Sequence, residues 1–158
     1  MTILSPSKLV PNRRQLLWNI ASELGKAGQW VDGVEKAEYL RGNSAGVGGV
    51  WRVHLRRNSH ADVIEFEITE WLKGHRFGLR PVRPGSVYGD IQLFELVLDF
   101  KEVSENETRI EIHCEYEPLS KLGRVKNLAF LRRQYLDLID HALDKLSAVA
   151  AVQEQACA

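Results

Sequence analysis

Residues 126–150 read KNLAFLRRQYLDLIDHALDKLSAVA, and this stretch decides the fold. Its apolar residues recur at steps of three and four, which is the spacing of one helix face. The stripe consists of Leu128, Leu131, Tyr135, Leu138, Ile139, Ala142, Leu143, Leu146 and Val149. The charged residues fall mostly elsewhere, so the pattern predicts one amphipathic helix, roughly 37 Å long at 1.5 Å per residue.

The chain before this helix alternates with a period of two, which is typical of strands that have one apolar face. In one clear example, Trp51, Val53 and Leu55 share a face. The predicted strands are Leu4–Val10, Val31–Leu40, Val50–Arg57, Asp62–Glu70, Arg76–Pro81, Tyr88–Val103 and Thr108–Tyr116. Pro6 makes the first of them an edge strand. The adjacent apolar pair Leu93–Phe94 predicts a bulge in the sixth.

Two short helices are predicted between the first two strands. Asn12 is expected to cap the first helix, and Ser22–Gly28 forms the second, which ends at glycine. The later connections are short, and Gly42–Gly49 is read as a flexible glycine-rich hairpin loop because it lacks the Gly-Lys-Ser/Thr of a phosphate loop. Short connections favour an antiparallel meander.

Charge suggests a register for two hairpins, since opposite charges are favourable directly across a strand pair. A two-residue loop at Ser59-His60 places Arg52 opposite Glu67 and His54 opposite Glu65. A turn centred on Ser104 would likewise place opposite charges across from each other in the hairpin of the last two strands. That register pairs Lys101 with Glu107 and Asp99 with Arg109.

Together the elements predict an α+β fold in which a curved antiparallel sheet of six to seven strands wraps around the long C-terminal helix. The apolar sheet face needs a cover, and only that helix is long enough. Because a curved sheet cannot touch one straight helix across its whole width, a hollow is expected near one end of the helix. Residues 1–150 form one domain, with residues 151–158 as a flexible tail.

An ordered set of short segments resembles the START-related lipid-transfer superfamily, also called SRPBCC or Bet v 1-like helix-grip proteins. The segments are Val10-Pro11 with Leu17-Trp18, Trp30–Val34, Gly46–Trp51, Ile68–Trp71, Arg76-Phe77 and Glu107–Ile110. The branch most similar to the chain is the bacterial polyketide cyclase/dehydrase and lipid-transport group. This resemblance implies a START-like ligand-binding domain with a cavity between sheet and helix, often bordered by the glycine loop.

Composition excludes several functions. The 158 residues carry a formal net charge of zero, which argues against nucleic-acid binding. No segment approaches the ~20 apolar residues of a membrane span, so no stable membrane insertion is expected. Cys114 and Cys157 are predicted to be free thiols in a reducing compartment, which favours a cytoplasmic location.

The inward positions of the strands and helix give the candidate ligand-binding residues. They are Trp51, Phe66, Phe77, Phe94, Leu96, Ile112, Cys114, Tyr116, Leu131 and Tyr135. A metal site at His113-Cys114-Glu115 is not predicted, because alternation sends neighbouring residues to opposite faces. No base is placed beside Cys114 to make it a nucleophile. Nothing in the sequence calls for a cofactor.

Three functions remain open at this stage. The first is binding or transport of an apolar or amphipathic lipid, polyketide or aromatic compound. The second is a cyclase or dehydratase, which needs a base and an oxyanion donor from among Glu70, His75, Arg80, Tyr88, Tyr116 and Tyr135. The third is a protein-interaction module that docks a chaperone or ribosome, which predicts an exposed apolar patch.

Overall fold

A curved antiparallel sheet and three helical segments account for the described chain. The computed structural model describes residues 2–57, 60–83, 86–88, 91–119 and 128–156. The strands are β1 (Thr2–Leu4), β2 (Ser7–Val10), β3 (Val34–Arg41), β4 (Val50–Arg57), β5 (His60–Leu72), β6 (Arg76–Pro81), β7 (Ser86–Tyr88), β8 (Ile91–Ser104) and β9 (Glu107–Pro118). The helices are α1 (Arg14–Ala21), a 3₁₀ helix (Leu24–Gln29) and α2 (Leu128–Ala156).

The sheet runs in the order β1-β9-β8-β6-β5-β4-β3, and its strand pairs are antiparallel. Strand β2 also pairs with β9, and β7 also pairs with β8, so the nine described segments occupy seven positions. This confirms the predicted helix-grip sheet of six to seven strands. The predicted first strand, Leu4–Val10, is divided into β1 and β2 around Pro6, which has no N–H for the ladder and accepts a hydrogen bond from the Ile112 amide.

The predicted register of the β4–β5 hairpin is wrong by two residues. Arg52 lies opposite Glu65, to which it is ion-paired at 3.0 Å, and His54 lies opposite Val63. Of the predicted loop residues, Ser59 lies outside the described residues, and His60 is the first residue of β5, opposite Arg57. Because a shift of two preserves which side chains face inward, the apolar face is the predicted one.

The predicted register of the β8–β9 hairpin is also wrong. Asp99 lies opposite Glu111 and Lys101 opposite Arg109, so like charges face each other directly. The repulsion is relieved by two ion pairs: Lys101 pairs diagonally with Glu111 at 3.1 Å, and Asp99 pairs at 3.0 Å with Arg76, which lies directly opposite it on β6. The turn residues are Glu105 and Asn106, because Ser104 ends β8 and pairs with Glu107 of β9; the turn therefore follows Ser104 and is not centred on it.

Asn12 locks the N-terminal segment to the far end of α2 and does not cap α1, contrary to the prediction. Helix α1 begins after Arg13 without a side-chain cap. The buried Asn12 amide donates to the Ser147 carbonyl at 3.3 Å and accepts from the Ser147 hydroxyl at 2.5 Å. Thr108 in turn donates to the Asn12 carbonyl at 2.7 Å. These bonds join the segment between β2 and α1 to β9 and α2 at one point.

Helix α2 covers the concave face of the sheet. Its inward residues Leu143, Leu146 and Ala150 are at most 1% exposed and belong to a core shared with α1. The helix continues to Ala156, past the expected end at Ala150. Within the described residues no helix is apolar enough over sufficient length to cross a membrane.

The glycine-rich connection between β3 and β4 is held by backbone hydrogen bonds. Gly42 and Gly48 have φ of +78° and +92°, a region that favours glycine. The Gly48 amide donates to the Ile68 carbonyl at 2.9 Å. A Cβ on Gly49 would lie 1.9 Å from the Asn43 carbonyl oxygen. The glycines are therefore needed for the backbone conformation and the close packing of this tight connection.

The buried Asn12 network predicts the effect of removing one side chain. Asn12→Ala leaves the Ser147 groups without their partner, so we expect the free energy of unfolding to fall by about 1–3 kcal/mol. Chemical denaturation measures the change. Asn19→Ala is the matched control, because Asn19 is exposed and, among the described residues, its side chain bonds only to Gln15 on the same helix. Equal stabilities for the two variants would contradict the assignment.

Candidate functional site

A cavity of about 230 Å³ lies between the concave sheet face, the 3₁₀ helix and α2. Its walls are almost wholly apolar, and strands β3, β4, β5, β6, β8 and β9 all contribute. The described lining residues are Ala21, Leu24, Ala27, Trp30, Val31, Val34, Trp51, Val53, Leu55, Ile64, Phe66, Phe77, Leu79, Ile91, Leu93, Leu96, Leu98, Ile112, Cys114, Tyr135, Leu138, Ile139 and Ala142.

Seven of the ten residues predicted from the sequence are brought together around this cavity. They are Trp51, Phe66, Phe77, Leu96, Ile112, Cys114 and Tyr135. Their shared position follows from strand alternation, since each stands on the apolar face of its strand or helix. Their role as ligand contacts stays a prediction.

Phe94 does not line the cavity, because the predicted bulge in β8 changes which residues face inward. The register against β9 shifts between Leu93 and Glu95. Leu93 and Leu96 therefore both face the cavity, with two residues between them. A simple alternation through the bulge, which would have placed Phe94 inward with Leu96, is wrong.

Tyr116 and Leu131 are buried beside the cavity and do not line it. Tyr116 is 1% exposed and Leu131 is 7% exposed, and both belong to one apolar cluster with Tyr135. The rings of Tyr116 and Tyr135 have centroids 5.6 Å apart. These side chains fill the space at their end of the cavity.

The opposite end is filled by an aromatic cluster. Trp18 of α1 makes edge contacts with Trp71, Phe77 and Phe100, with centroids 5.1 to 5.9 Å apart. Such pairs add to the energy of area burial. The hollow is thus bounded by packed groups at both ends.

The sequence prediction missed the wall that the 3₁₀ helix provides. Leu24, Ala27 and Trp30 all line the cavity, and they recur at steps of three. That spacing is the repeat of a 3₁₀ helix, which has three residues per turn. This three-residue spacing is visible in the sequence. It is obscured by the glycines, which favour a short connecting helix that ends at Gly28.

Few polar atoms border the cavity. The indole N–H groups of Trp30 and Trp51 are fully buried within the wall, and they have no hydrogen-bond partner among the described residues. The Cys114 thiol and the Tyr135 hydroxyl are the other exchangeable groups among the described lining residues. Within that described set there is no carboxylate, histidine, lysine or arginine.

Apart from Tyr135, which lines the cavity, and Tyr116, which is buried beside it, the charged catalytic candidates named from the sequence lie elsewhere. Glu70 is ion-paired with Arg76 at 3.0 Å, and His75 is exposed and lies 3.1 Å from an Arg14 nitrogen. Arg80 is exposed, and the side chain of Tyr88 lies outside the described residues. None of these described side chains faces the cavity.

Cys114 is held as a neutral thiol. Burial raises its pKa to about 12, and the nearby Glu115 acts in the same direction. Burial also raises the pKa of Tyr116. A thiolate is the nucleophilic form of cysteine, so Cys114 contributes an apolar wall and not a nucleophile near neutral pH.

A polar cluster on the outer face of the sheet includes the neighbours of Cys114. Glu95, His113 and Glu115 each present one ligand atom, and these atoms lie within 4.8 Å of one another. The two His113 nitrogens lie 3.2 Å from the Ser5 hydroxyl and 3.1 Å from Glu115. Alternation along β9 keeps this cluster apart from Cys114, whose side chain faces the cavity.

The raised pKa of Cys114 predicts slow thiol chemistry. In a Cys157→Ser variant, the Cys114 thiol of the folded protein should react with dithiobisnitrobenzoate at pH 8 about 100-fold or more slowly than a free thiol. The rate should increase as the pH approaches 12, or at once on unfolding. Absorbance at 412 nm follows the reaction. Equal rates for folded and unfolded protein would show that the thiol is accessible and ionised.

Known proteins match this chain in structure but not in sequence. No family model matches the sequence, and no curated protein matches it. A protein from Thermus thermophilus, TTHA0849, has a TM-score of 0.76 at 15% identity, covering 96% of this chain and 99% of that one. Major latex-like protein 151 of Panax ginseng has a TM-score of 0.71 at 13% identity, covering 94% and 97%.

A third similar structure is the Zhui aromatase/cyclase from Streptomyces sp. R1128. Its TM-score is 0.68 at 12% identity, covering 95% of this chain and 93% of that one. These three structures match nearly the whole chain, and at such low sequence identity they show a likeness of fold alone. The chain therefore has the helix-grip fold expected from its sequence, a curved antiparallel sheet around a long C-terminal helix.

Proposed function

We propose that this protein binds and carries an apolar or amphipathic small molecule in the cavity beneath α2. The observation that supports this most is the apolar lining of a hollow of about 230 Å³ in an otherwise packed interior. Protein interiors are normally packed to the density of organic crystals. An empty apolar hollow therefore has no evident structural benefit, and filling it with an apolar ligand gains about 25 cal/mol per Å² buried.

The volume of the cavity favours a compact ligand. An apolar cavity of about 150 Å³ holds one benzene ring, so about 230 Å³ suits one or two fused rings. Long-chain lipids and multi-ring polyketides need more space than this. Within the range of lipid, polyketide and aromatic ligands, we therefore favour a small aromatic or alicyclic compound.

Binding fits the described lining better than catalysis does. A cyclase or dehydratase reaction requires a base beside the reacting carbon. The described residues around the cavity supply no carboxylate or histidine, and burial keeps Cys114 protonated. The likeness to an aromatase/cyclase structure concerns the fold alone. Whether catalysis is possible depends on the side chains of this chain that line the cavity.

A docking role is less well supported. The exposed large apolar side chains are spread over several elements, among them Leu9, Val63, Leu72, Val103 and Phe130. Single exposed apolar residues are normal on protein surfaces. We therefore do not extend the proposal to a protein partner.

Occupancy of the cavity can be tested by filling it from the helix side. Ala142→Leu adds three carbon atoms at a lining position that is 7% exposed, so binding of naphthalene should weaken about tenfold or more through overpacking of the filled site. Indole fluorescence or NMR titration measures the affinity. Ala129→Leu, at an exposed position of α2, should leave the affinity unchanged.

Native mass spectrometry of the purified protein gives a second readout. We expect an adduct of a small apolar compound in the wild type and a reduced adduct in Ala142→Leu. A wild-type protein that carries no adduct and binds no naphthalene would contradict the proposed function. Equal naphthalene affinity in Ala142→Leu and Ala129→Leu would place the binding site elsewhere.

A further inference from the structure

The outer face of the sheet shows how this fold tolerates acidic residues that face each other. Asp99 of β8 lies directly opposite Glu111 of β9, an arrangement that is unfavourable for like charges. Arg76 lies 3.0 Å from Asp99, and Lys101 lies 3.1 Å from Glu111. Each carboxylate of this pair therefore has a cationic partner.

A second pair of facing carboxylates lacks such partners. Glu95 lies directly opposite Glu115 on the same two strands, and 24% of the Glu115 side chain is exposed. Among the residues that the structure describes, no lysine or arginine forms an ion pair with either of them. The group beside them is His113, whose Nε2 atom lies 3.1 Å from a Glu115 oxygen. Two carboxylates that share one imidazole favour a bound cation.

Strand geometry places the three side chains at the corners of a triangle. His113 and Glu115 are two residues apart on β9, so they point to the same side of the sheet, and Glu95 stands across from Glu115 on β8. One ligand atom from each residue lies within 4.8 Å of the other two. Ligands of a tetrahedral ion with bonds of about 2.1 Å are about 3.4 Å from one another. Small side-chain rotations are therefore enough to bring the three atoms onto one ion.

The imidazole is oriented by a group outside the triangle. Ser5 follows Leu4, which pairs with Cys114, so Ser5 lies beside His113, and its hydroxyl oxygen is 3.2 Å from Nδ1. With an ion on Nε2, the protonated Nδ1 donates to this hydroxyl oxygen. A metal-bound histidine usually makes such a bond through its second nitrogen, because the bond fixes the tautomer and the ring orientation.

The ligand set restricts the kind of ion. Calcium and magnesium prefer oxygen ligands, whereas a neutral imidazole suits zinc and other first-row transition ions. One histidine and two carboxylates make a three-ligand zinc site with a fourth position for water. Strand alternation keeps Cys114 out of this site, as expected from the sequence, while Glu95 enters it from the neighbouring strand.

We propose that Glu95, His113 and Glu115 bind a Zn²⁺ ion on the outer face of the sheet, and that Ser5 is the positioning residue for His113. The site is separate from the cavity, so the inference goes beyond the proposed function. The ion joins β8 to β9 directly, and it reaches the segment after β1 through Ser5.

Isothermal titration of the untagged full chain with Zn²⁺ measures the affinity. The parent protein carries Cys157→Ser, so that the thiol of the C-terminal tail does not compete for the ion. The parent should bind one ion per chain. Glu95→Gln and His113→Ala should each weaken binding about 100-fold or more, since losing even an outer partner of a metal ligand costs about 10- to 100-fold.

His54→Ala is the matched control for His113→Ala. His54 also contacts a glutamate on a neighbouring strand, with its Nε2 atom 2.6 Å from Glu38. Lys36 lies 3.5 Å from Glu38, and within the described chain no further metal-ligating group joins this pair. The affinity of His54→Ala for Zn²⁺ should equal that of the parent. Equal affinities in His54→Ala and His113→Ala would overturn the inference.

Two substitutions of Ser5 test its positioning role. Ser5→Ala removes the hydroxyl and should weaken Zn²⁺ binding about tenfold, at the lower end of the range for outer partners. Ser5→Thr keeps a hydroxyl and should retain most of the affinity. The same affinity in Ser5→Ala as in the parent would overturn the role of Ser5.

An NMR readout on the parent protein does not depend on how the variants fold. Zn²⁺ should shift the imidazole ¹⁵N signals of His113, the Nε2 signal most, while those of His54 stay in place. An equal response of both histidines, or no saturable binding of one ion, would overturn the inference. Displacement of Zn²⁺ by an equal concentration of Mg²⁺ would show that the site is not selective for a transition ion, contrary to the assignment.

Discussion

The structure depends on one constraint: the apolar concave face of the sheet must be covered, and a single helix, α2, covers it. The strands present apolar side chains on the concave side, and α2 places Leu143 and Leu146 against them. Because a single straight helix cannot fill the whole concavity, other groups must close its ends. The Trp18 cluster does so at one end, and the Tyr116–Tyr135 contact does so at the other.

Ion pairs at the margins help to orient α2. Lys8 of β2 lies 2.8 Å from Asp140 and 2.5 Å from Asp144. On the other side, the Lys145 ammonium at 2.6 Å lowers the pKa of Asp32, with His141 also beside it. Exposed pairs of this kind add little to stability. The position of the helix therefore depends on its buried apolar stripe and on the Asn12–Ser147 bonds.

The sequence was sufficient for the architecture because two periodicities, one helical and one of period two, covered almost the whole chain. Register could not be predicted from charge, since Glu65 and Glu67 are both acidic and either can face Arg52. In the β8–β9 hairpin, diagonal pairs such as Lys101–Glu111 replace the direct pairs that were assumed. Both errors amount to two residues, which leaves the faces unchanged.

The site was less predictable because it depends on three-dimensional packing. Simple alternation misplaces Phe94, because the register shift between Leu93 and Glu95 changes which residues of β8 face inward. Tyr116 and Tyr135 both belong to the apolar pattern, yet only Tyr135 reaches the hollow. A one-dimensional pattern does not separate a side chain that fills the core from one that borders an empty space. The role of Asn12 was unpredictable for a related reason: its hydrogen-bond partner, Ser147, is distant in the sequence and becomes its neighbour only in the folded chain.

If the proposed function holds, the hollow between the helix and the sheet also links the lifetime of the chain to the supply of its ligand. A ligand enclosed by β-strands, the 3₁₀ helix and α2 together binds only the folded protein. Such a ligand stabilises the folded state by about 2.7 kcal/mol when its free concentration is a hundred times the dissociation constant. Differences of that size change the fraction of unfolded chains exposed to cellular proteases severalfold or more. An empty carrier would then be degraded sooner than a loaded one, and its abundance would follow the availability of the compound it carries.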